Sequence, residues 1–404
     1  MIKFEEAKKI VLESAKPIGK EKVFLEDAFR RILAEDIIAN YSIPPFDNSA
    51  MDGFAIKSED TNKDLPVKLR IVGEESAGEI FRKKIDKGQT LRIFTGALLP
   101  AGTDSVIPQE EVEIEKEFIV IRRKVRKGEN VRYAGEDIKE GEIVLEKGIQ
   151  LNSTHIGLLS ALGIVEIEVY IKPKVGILAT GEELKDLNEP LLQGSIRNSN
   201  TYTLIAQIKS AGAIPLNYGK TGDNPNEIKN IIEENLNNCD IFLTTGGVSV
   251  GKYDYVREAV ESIGAERKFW KVAQKPGMPL AFYVLKRENK LKYIFGLPGN
   301  PGAVMITFEE YVRPLIYLLS GRKNYLPQEI EAKFTHDLKK KKGRLNFIRV
   351  KIFFENGEYY ISESGPQGSG FLKTLANANG IALIPEDVEY IKAGTKVKVH
   401  IVEW

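Results

Sequence analysis

The sequence predicts a multidomain protein of α/β plus β class: a small N-terminal helical part, an inserted mostly-β domain, a doubly wound α/β domain and a C-terminal β-barrel-like domain. Three observations predict it. The 404 residues are too many for one domain at the usual size of about 150 residues. Between Pro173 and Gly321, short apolar runs alternate with amphipathic stretches of about 10–15 residues, the rhythm of βαβ units around a parallel sheet. On either side of that segment the helical periodicity gives way to short runs bounded by Gly and Asn turns, which is how β structure reads.

Each element follows in order. Phe4, Ala7, Ile10 and Val11 stand at helical spacing, and Leu25, Ala28, Ile32 and Leu33 repeat the pattern, so two amphipathic helices are expected over 4–15 and 25–36. From Pro66 to Gly148 the runs 67–72, 89–94 and 118–121 predict strands of a small β module. Asn152-Ser153-Thr154 caps an apolar helix that stops at Gly163. The α/β segment then supplies strands at 175–179, 214–218, 241–244 and 293–296, with helices at 201–210, 225–236, 255–262 and 302–319. Beyond Gly321, Asn356-Gly357 predicts a hairpin over 347–362, and 396–402 alternates cleanly. The Lys339 to Lys342 run reads as a solvated loop.

Composition narrows the function. Lys and Arg total 58 against 57 Asp and Glu, a net charge of +1, which argues against nucleic acid as a partner. The N-terminus is charged from Lys3 onward and no apolar run reaches about 18 residues, so neither a secretory leader nor a membrane span is expected, and a cytoplasmic location is. One cysteine, Cys239, rules out an internal disulfide, and three scattered histidines (His155, His336, His400) rule out a His/Cys zinc cage. A bound metal is then expected to be a hard, oxygen-held ion such as Mg2+.

In an open α/β sheet, ligands lie beyond the carboxyl ends of the strands. Three glycine-rich turns fall there: Thr180-Gly181, Thr244-Thr245-Gly246-Gly247-Val248-Ser249, and Gly296-Leu297-Pro298-Gly299-Asn300-Pro301. Tight turns explain any one of them; together they suit an anion held by backbone N–H groups. Asn300 is placed as N-cap and Pro301 as the first helical residue, with amides near Gly302 and Ala303 expected to be free. Gly246 to Lys252 matches a P-loop until Tyr253 stands where a Ser or Thr hydroxyl must reach Mg2+, so a P-loop NTPase is set aside. Glu183, Asp223 and Asp254 follow successive strands and suit one hard cation, although Asp223 and Asp254 are equally good helix-start residues. Lys271 and Lys275 add positive charge, as an oxyanion or phosphate site requires, while lysines on a strand also serve as ordinary surface residues.

Pro45-Phe46-Asp47-Asn48-Ser49-Ala50-Met51-Asp52-Gly53 fits neither helix nor strand and predicts an ordered loop. With Thr95-Gly96-Ala97, Gly135-Glu136-Asp137-Ile138, the Thr244 to Ser249 turn, Lys275-Pro276-Gly277 and the Gly296 to Pro301 turn, it resembles the successive motifs of the molybdopterin molybdenumtransferases, the MoeA and gephyrin family. The match runs in order along nearly the whole chain.

The resemblance implies a homodimer of four-domain subunits, divided here as 1–45 with 138–172, 46–137, 173–321 and 322–404. It implies insertion of molybdate or tungstate into adenylylated molybdopterin with Mg2+ and release of AMP. An upstream molybdopterin adenylyltransferase is then an expected partner. The family's functional acids fall on Asp52, Asp137, Glu183, Asp223 and Asp254, and its basic residues on Lys271, Lys275 and Arg344. Thr95, Gly246, Gly247, Ser249, Pro298, Gly299, Asn300, Pro301 and Ser369 fall on substrate-binding positions, with Glu183, Asp223 and Asp254 toward the metal. The chain departs from the pattern at Met278, where a second lysine is usual, at Ala303, where a serine is, and at Phe54, where a tyrosine is. The first two remove an anion contact each. A scaffold, as in gephyrin, and an adenylyltransferase acting on molybdopterin are the alternatives.

Overall fold

The computed structural model describes residues 1–247 and 255–402. It falls into two compact units: one comprises Glu35–Lys147 and Gly157–Val165, the other Met1–Ala34, Gly148–Ile156 and the chain from Glu166 onward.

The first unit is built on a six-stranded sheet in the order Ser105–Pro108, Gly53–Ile56, Gln89–Ile93, Val67–Glu75, Phe118–Ile121, Val112–Glu115. Phe54, Ile56, Leu69, Ile107, Ile119 and Ile121 fill one face, and Ala55, Leu91, Ile93 and Val106 the other. Consecutive residues of Gly53–Ile56 thus enter different cores, as the two-residue period of a strand dictates.

The second unit opens with the helix Phe4–Glu13, which buries Phe4, Ala7, Lys8 and Val11. The expected second helix over 25–36 is absent. Only a 3-10 turn, Leu25–Asp27, forms; Arg30 then takes φ +60° and the chain runs extended, with Ile32 bridging Gln150 and Leu33 bridging Val169. Pairing with 149–151 and 168–170 buries both Ile32 and Leu33; their helical spacing carried no helix because tertiary pairing satisfies the same apolar residues in extended form.

The α/β sheet has the order Ile214–Thr221, Lys174–Thr180, Ile241–Thr245, Lys290–Leu297, Ala281–Arg287, Glu266–Trp270. The first four strands are parallel and the last two add antiparallel pairings. These two were not expected from the sequence. The turn that joins Ala281–Arg287 to Lys290–Leu297, Glu288-Asn289, has both residues at positive φ (47° and 62°), the geometry of a type I′ hairpin without its usual glycine. Helices Ser199–Ser210 and Pro301–Thr307 pack in a core with Ile177, Leu243 and Phe295; helices Pro225–Asn235 and Tyr255–Ser262 pack in another with Leu178, Phe242 and Ile294. The sheet is therefore covered on both faces, as a doubly wound domain requires.

The last helix of the α/β segment is not uniform. It runs Pro301–Thr307, widens into a π turn over Phe308–Val312, and resumes as Arg313–Leu319. Pro314 has no N–H to offer the carbonyl four residues earlier, which accounts for the widening. The turn buries Glu309 and Glu310. Arg313 clamps Glu309 through two contacts of 2.5 and 2.9 Å, while Glu310 meets His400 Nδ1 at 2.7 Å and Lys8 Nζ at 3.2 Å.

The C-terminal strands close into a barrel: Leu345–Glu355, Glu358–Glu363, Glu329–Phe334, Lys396–Ile401 and Gly380–Ile384, the last pairing back onto the first. The hairpin turns at Asn356 (φ +49°) and Gly357 (φ +80°) as read from the sequence. A sixth strand, Gln274–Lys275, leaves the α/β region and runs parallel to the start of Leu345–Glu355. No helix among the described residues is long and apolar enough to cross a membrane.

Candidate functional site

The glycine turns do converge. Gly246 and Gly247 follow strand Ile241–Thr245 at φ +90° and +63°. A Cβ on Gly246 would stand 2.4 Å from the carbonyl oxygen of Thr180, and one on Gly299 3.6 Å from Gly246 Cα. Gly246 N–H donates to Leu297 O at 3.3 Å and Asn200 Nδ2 to Gly299 O at 2.8 Å. Backbone thus approaches backbone across three strand ends, which only glycine permits at Gly246. Pro298, Gly299, Asn300 and Pro301 form the adjoining turn. Pro301 begins the helix, and Asn300 caps it with its carbonyl, which accepts from Ala303 N and Val304 N; its side chain makes no cap bond. The amides expected to be free are engaged: Gly302 N–H donates to Ser369 O at 2.7 Å, and Ala303 N–H to Asn300 O at 2.9 Å.

An acidic edge lies beside the turns. A Cβ on Gly181 would meet Glu183 Oε2 at 2.6 Å, and one on Gly222 would meet Glu182 Oε1 at 2.5 Å. Burial first, then the negative charges of Glu183 and Glu182, push the Asp223 carboxyl above its ordinary value. Glu182 was not singled out in the sequence. Its only signal is adjacency to Glu183. Among the described residues no three Asp, Glu, His or Cys side chains sit close enough to hold a metal ion by themselves; Asp254, the third acid of the expected set, lies outside the described residues, as does Ser249. Glu182, Glu183 and Asp223 on adjacent strand-end turns are oxygen donors of the kind a hard cation takes, so the chemistry of the residues present fits Mg2+.

Cations gather on the other side. Lys271 takes φ +66°, an unusual conformation for a residue with a Cβ. Its Nζ lies 3.8 Å from the Trp270 ring centroid, and Arg257 Cζ lies 5.3 Å from the same ring. The turn that follows is fixed from three sides: Ile2 N–H donates to Lys271 O, Ala273 N–H donates to Ile2 O, and buried Gln274 bonds Gly277 O and the Tyr311 hydroxyl. Lys275 is exposed on strand Gln274–Lys275, opposite Asn346 in the ladder, so Arg344 stands at the neighbouring end of the paired strand. Arg344 Nη1 points at Met278 Sδ, 3.6 Å away. Met278, the departure from the family pattern, therefore occupies one edge of the guanidinium.

A further cation emerged only from the structure. Arg349 is 1% exposed. Its Nη2 donates to Pro366 O and Gly368 O at 3.2 and 3.1 Å, and its Nε to Gln367 Oε1 at 3.3 Å, while Nη1 has no partner. That free nitrogen faces the Pro301-Gly302 backbone, since a Cβ on Gly302 would stand 2.7 Å from Nη1 and 2.9 Å from Ser369 O. Burial pulls the Arg349 guanidinium below its ordinary value, without approaching neutrality at physiological pH. An arginine in the apolar run Phe347-Ile348-Arg349-Val350 was the signal available in the sequence.

The remaining candidates belong to the other unit. Asp52 Oδ1 accepts from Thr95 N and Thr95 Oγ1 at 2.8 and 2.7 Å; these two bonds hold its carboxyl below the usual range. Asp137 is exposed just after the Gly135 turn. The structure thus brings Thr95 and Asp52 together, and each is available to solvent.

Comparison with known proteins assigns the whole chain. Residues 2–163 match the MoeA N-terminal region (domain I and II), 176–317 the probable molybdopterin binding domain, and 331–402 the MoeA C-terminal region (domain IV). A molybdopterin molybdenumtransferase of Haemophilus influenzae is 36% identical over 99% of this chain and 98% of its own length, and one of Bacillus subtilis 35% identical over 99% and 94%. A crystal structure of a Pyrococcus horikoshii molybdopterin biosynthesis MoeA protein superposes with a TM-score of 0.86 at 32% identity, covering all of both chains. Matched along nearly its whole length in both comparisons, the chain belongs to the MoeA family of molybdopterin molybdenumtransferases.

Proposed function

We propose that this chain inserts molybdate or tungstate into adenylylated molybdopterin, with cleavage of the phosphoanhydride bond by water and release of AMP, in molybdenum cofactor biosynthesis. The observation that carries the reading is the pairing of an acidic edge, Glu182, Glu183 and Asp223, with a cationic one, Lys271, Lys275, Arg344 and Arg349, around glycine turns of one α/β sheet. A substrate carrying phosphates and an oxyanion needs both: donors for the anions and a cation that neutralises the charge developing as the anhydride breaks.

Glu183 and Asp223, with Asp254, would hold Mg2+, and the ion's chemistry there is charge neutralisation on the departing phosphate. Gly246, Gly247 and the Pro298–Pro301 turn take the substrate's phosphate by close backbone approach, and Ser249 belongs to the first of these loops. Lys271 and Lys275 bring charge to the anions as point donors, and Arg344 and Arg349 as planar ones. Ser369 is set beside Arg349 by the Gly302 contact. Asp52, Thr95 and Asp137 serve the same reaction by their match to the family's pattern, with Asp52 kept ionised by Thr95. We further propose a homodimer, the four-part division 1–45 with 138–172, 46–137, 173–321 and 322–404, a cytoplasmic location and an adenylyltransferase as supplier of the adenylylated substrate.

The test is AMP release from adenylylated molybdopterin and Mg2+, with and without molybdate or tungstate. Oxyanion-dependent release supports the transferase and reports the metal preference. Turnover of ATP with unmodified molybdopterin, and none of the adenylylated pterin, would overturn it in favour of an adenylyltransferase.

A further inference from the structure

The parallel strands have a second end. Ser210 and Gly212, at the start of strand Ile214–Thr221, line a cleft of about 840 Å³, a length of strand away from the glycine turns, or about 20 Å at 3.3 Å per residue. Volumes of this size are those of small-molecule sites. Its walls are basic. Arg30, Lys209, Arg313, Arg322 and Lys323 line it against two acids, Glu309 and Glu310. Both acids are already committed, Glu309 to Arg313 and Glu310 to His400 and Lys8.

Three of the cations have no carboxylate among the described residues. Among the described residues Arg30 makes only a ring contact to Phe29, at 5.5 Å, Arg322 only a ring contact to Tyr317, at 4.2 Å, and Lys209 none. A smaller recess shares Arg30, Tyr317 and Arg322 with the cleft and adds Arg31 and Lys172, with no acid in its lining. Arg31 is 7% exposed. Its Nη2 donates to Tyr170 O at 2.9 Å and meets Glu21, yet its Nε has no partner. A buried N–H left unpaired costs about 1–3 kcal/mol; the recess, about 10 Å³, has room for a water that can pair it, while the cations that the recess shares with the cleft gain from an anion in the cleft itself. Tyr325, Leu326 and Pro327 line the remainder of the cleft, which gives an organic body a surface to lie on.

We propose that this cleft binds an organic phosphate carrying at least two negative charges, through Arg30, Arg322 and Lys209. The site is separate from the one that the glycine turns form, so its ligand does not react. Its binding does not depend on the proposed metal insertion.

The experiment is calorimetric titration of the full chain with ADP, with pyrophosphate, and with adenosine as the uncharged control. The expected result is two ADP per chain. Arg30→Ala and Arg322→Ala each weaken one of the two about tenfold, as loss of one charge-assisted contact does, and leave AMP release unchanged. Lys209→Glu, at an exposed position, weakens the same event without touching the core. ADP binding tighter than pyrophosphate assigns the tyrosine-lined part to the organic body, and pyrophosphate alone at equal affinity assigns the site to bare diphosphate. One ADP per chain in wild type and variants alike overturns the proposal. So does a change of oligomeric state in Arg30→Ala or Arg322→Ala with unaltered stoichiometry, which makes the cleft a contact between copies.

Discussion

Arg349→Met separates a role in anion binding from a role in holding the barrel loop. The substitution removes three side-chain hydrogen bonds, but it strands no acceptor. Pro366 O keeps the Thr374 hydroxyl at 3.0 Å, Gln367 Oε1 keeps the Arg349 backbone N–H at 2.9 Å and Gly368 O keeps the Phe371 N–H at 3.2 Å, so every acceptor retains a donor. Loss of three hydrogen bonds whose acceptors stay paired costs about 0.5–1.5 kcal/mol each, and relief of the buried guanidinium offsets part of the total. Stability by denaturant titration should therefore fall by about 1–2 kcal/mol. The partnerless Nη1 facing Gly302 is a different matter, because a charged hydrogen bond to substrate contributes about 1.5–3 kcal/mol. Oxyanion-dependent AMP release should fall about 10- to 150-fold in kcat/KM, at full occupancy of the folded state. Arg349→Lys should recover part of the rate. A folded Arg349→Met protein with less than about a threefold change removes Arg349 from the site and refutes the reasoning.

Other outcomes follow from the geometry. Gly246→Ala places a Cβ 2.4 Å from Thr180 O at φ +90°; strain and overpacking together should cost about 2–4 kcal/mol, visible as a lowered denaturant midpoint and as lost substrate binding. Lys8→Met strips one partner from buried Glu310 and should cost about 3 kcal/mol. Burial opposes ionisation of Glu310, but His400 and Lys8 outweigh it and hold the carboxyl below its usual value. That stabilisation is present above the ordinary carboxylate pKa and is lost as pH falls through the lowered one, so the Lys8→Met deficit should shrink in acid; a deficit independent of pH refutes the ionic account. Asp223 behaves oppositely. Its raised pKa means that the folded chain loses stability as pH rises past the ordinary value, so Asp223→Asn should stabilise the metal-free protein at neutral pH while weakening Mg2+ dependence of AMP release. No gain in stability at neutral pH removes the proposed repulsion. Thr95→Val should let the Asp52 carboxyl titrate higher, read by NMR, and an unmoved titration denies the hydrogen-bonded pair.

Much of this was legible. Alternation of apolar runs with capped helices located the parallel strands to within three residues at each end, because buried parallel strands and amphipathic helices write different periods. Asn356-Gly357 marked its hairpin outright. What failed did so for identifiable reasons. The 25–36 segment has helical spacing, but its partners at 149–151 and 168–170 lie more than a hundred residues away, beyond any local pattern. The antiparallel strand Ala281–Arg287 turns into Lys290–Leu297 at Glu288-Asn289, a pair that carries no strong turn signal. Arg349 was hidden because a lone arginine in a strand names no partner; its meaning depends on Gly302 and Ser369, brought from different modules.

The two-residue strand Gln274–Lys275 has a mechanical consequence. Its backbone leaves the α/β region and is stitched to the barrel, with Leu345 N–H on Ala273 O at 3.0 Å as the first stitch. Lys275 therefore travels with the barrel wall rather than with the sheet that carries the glycine turns. A rigid-body rotation between the two modules would change the lysine's distance to those turns directly, without any loop having to rearrange. For the same reason a fragment cut after Gly321 would keep every glycine turn and lose the register of its lysine. The barrel thus acts as the clamp that sets the position of a charge encoded in another domain.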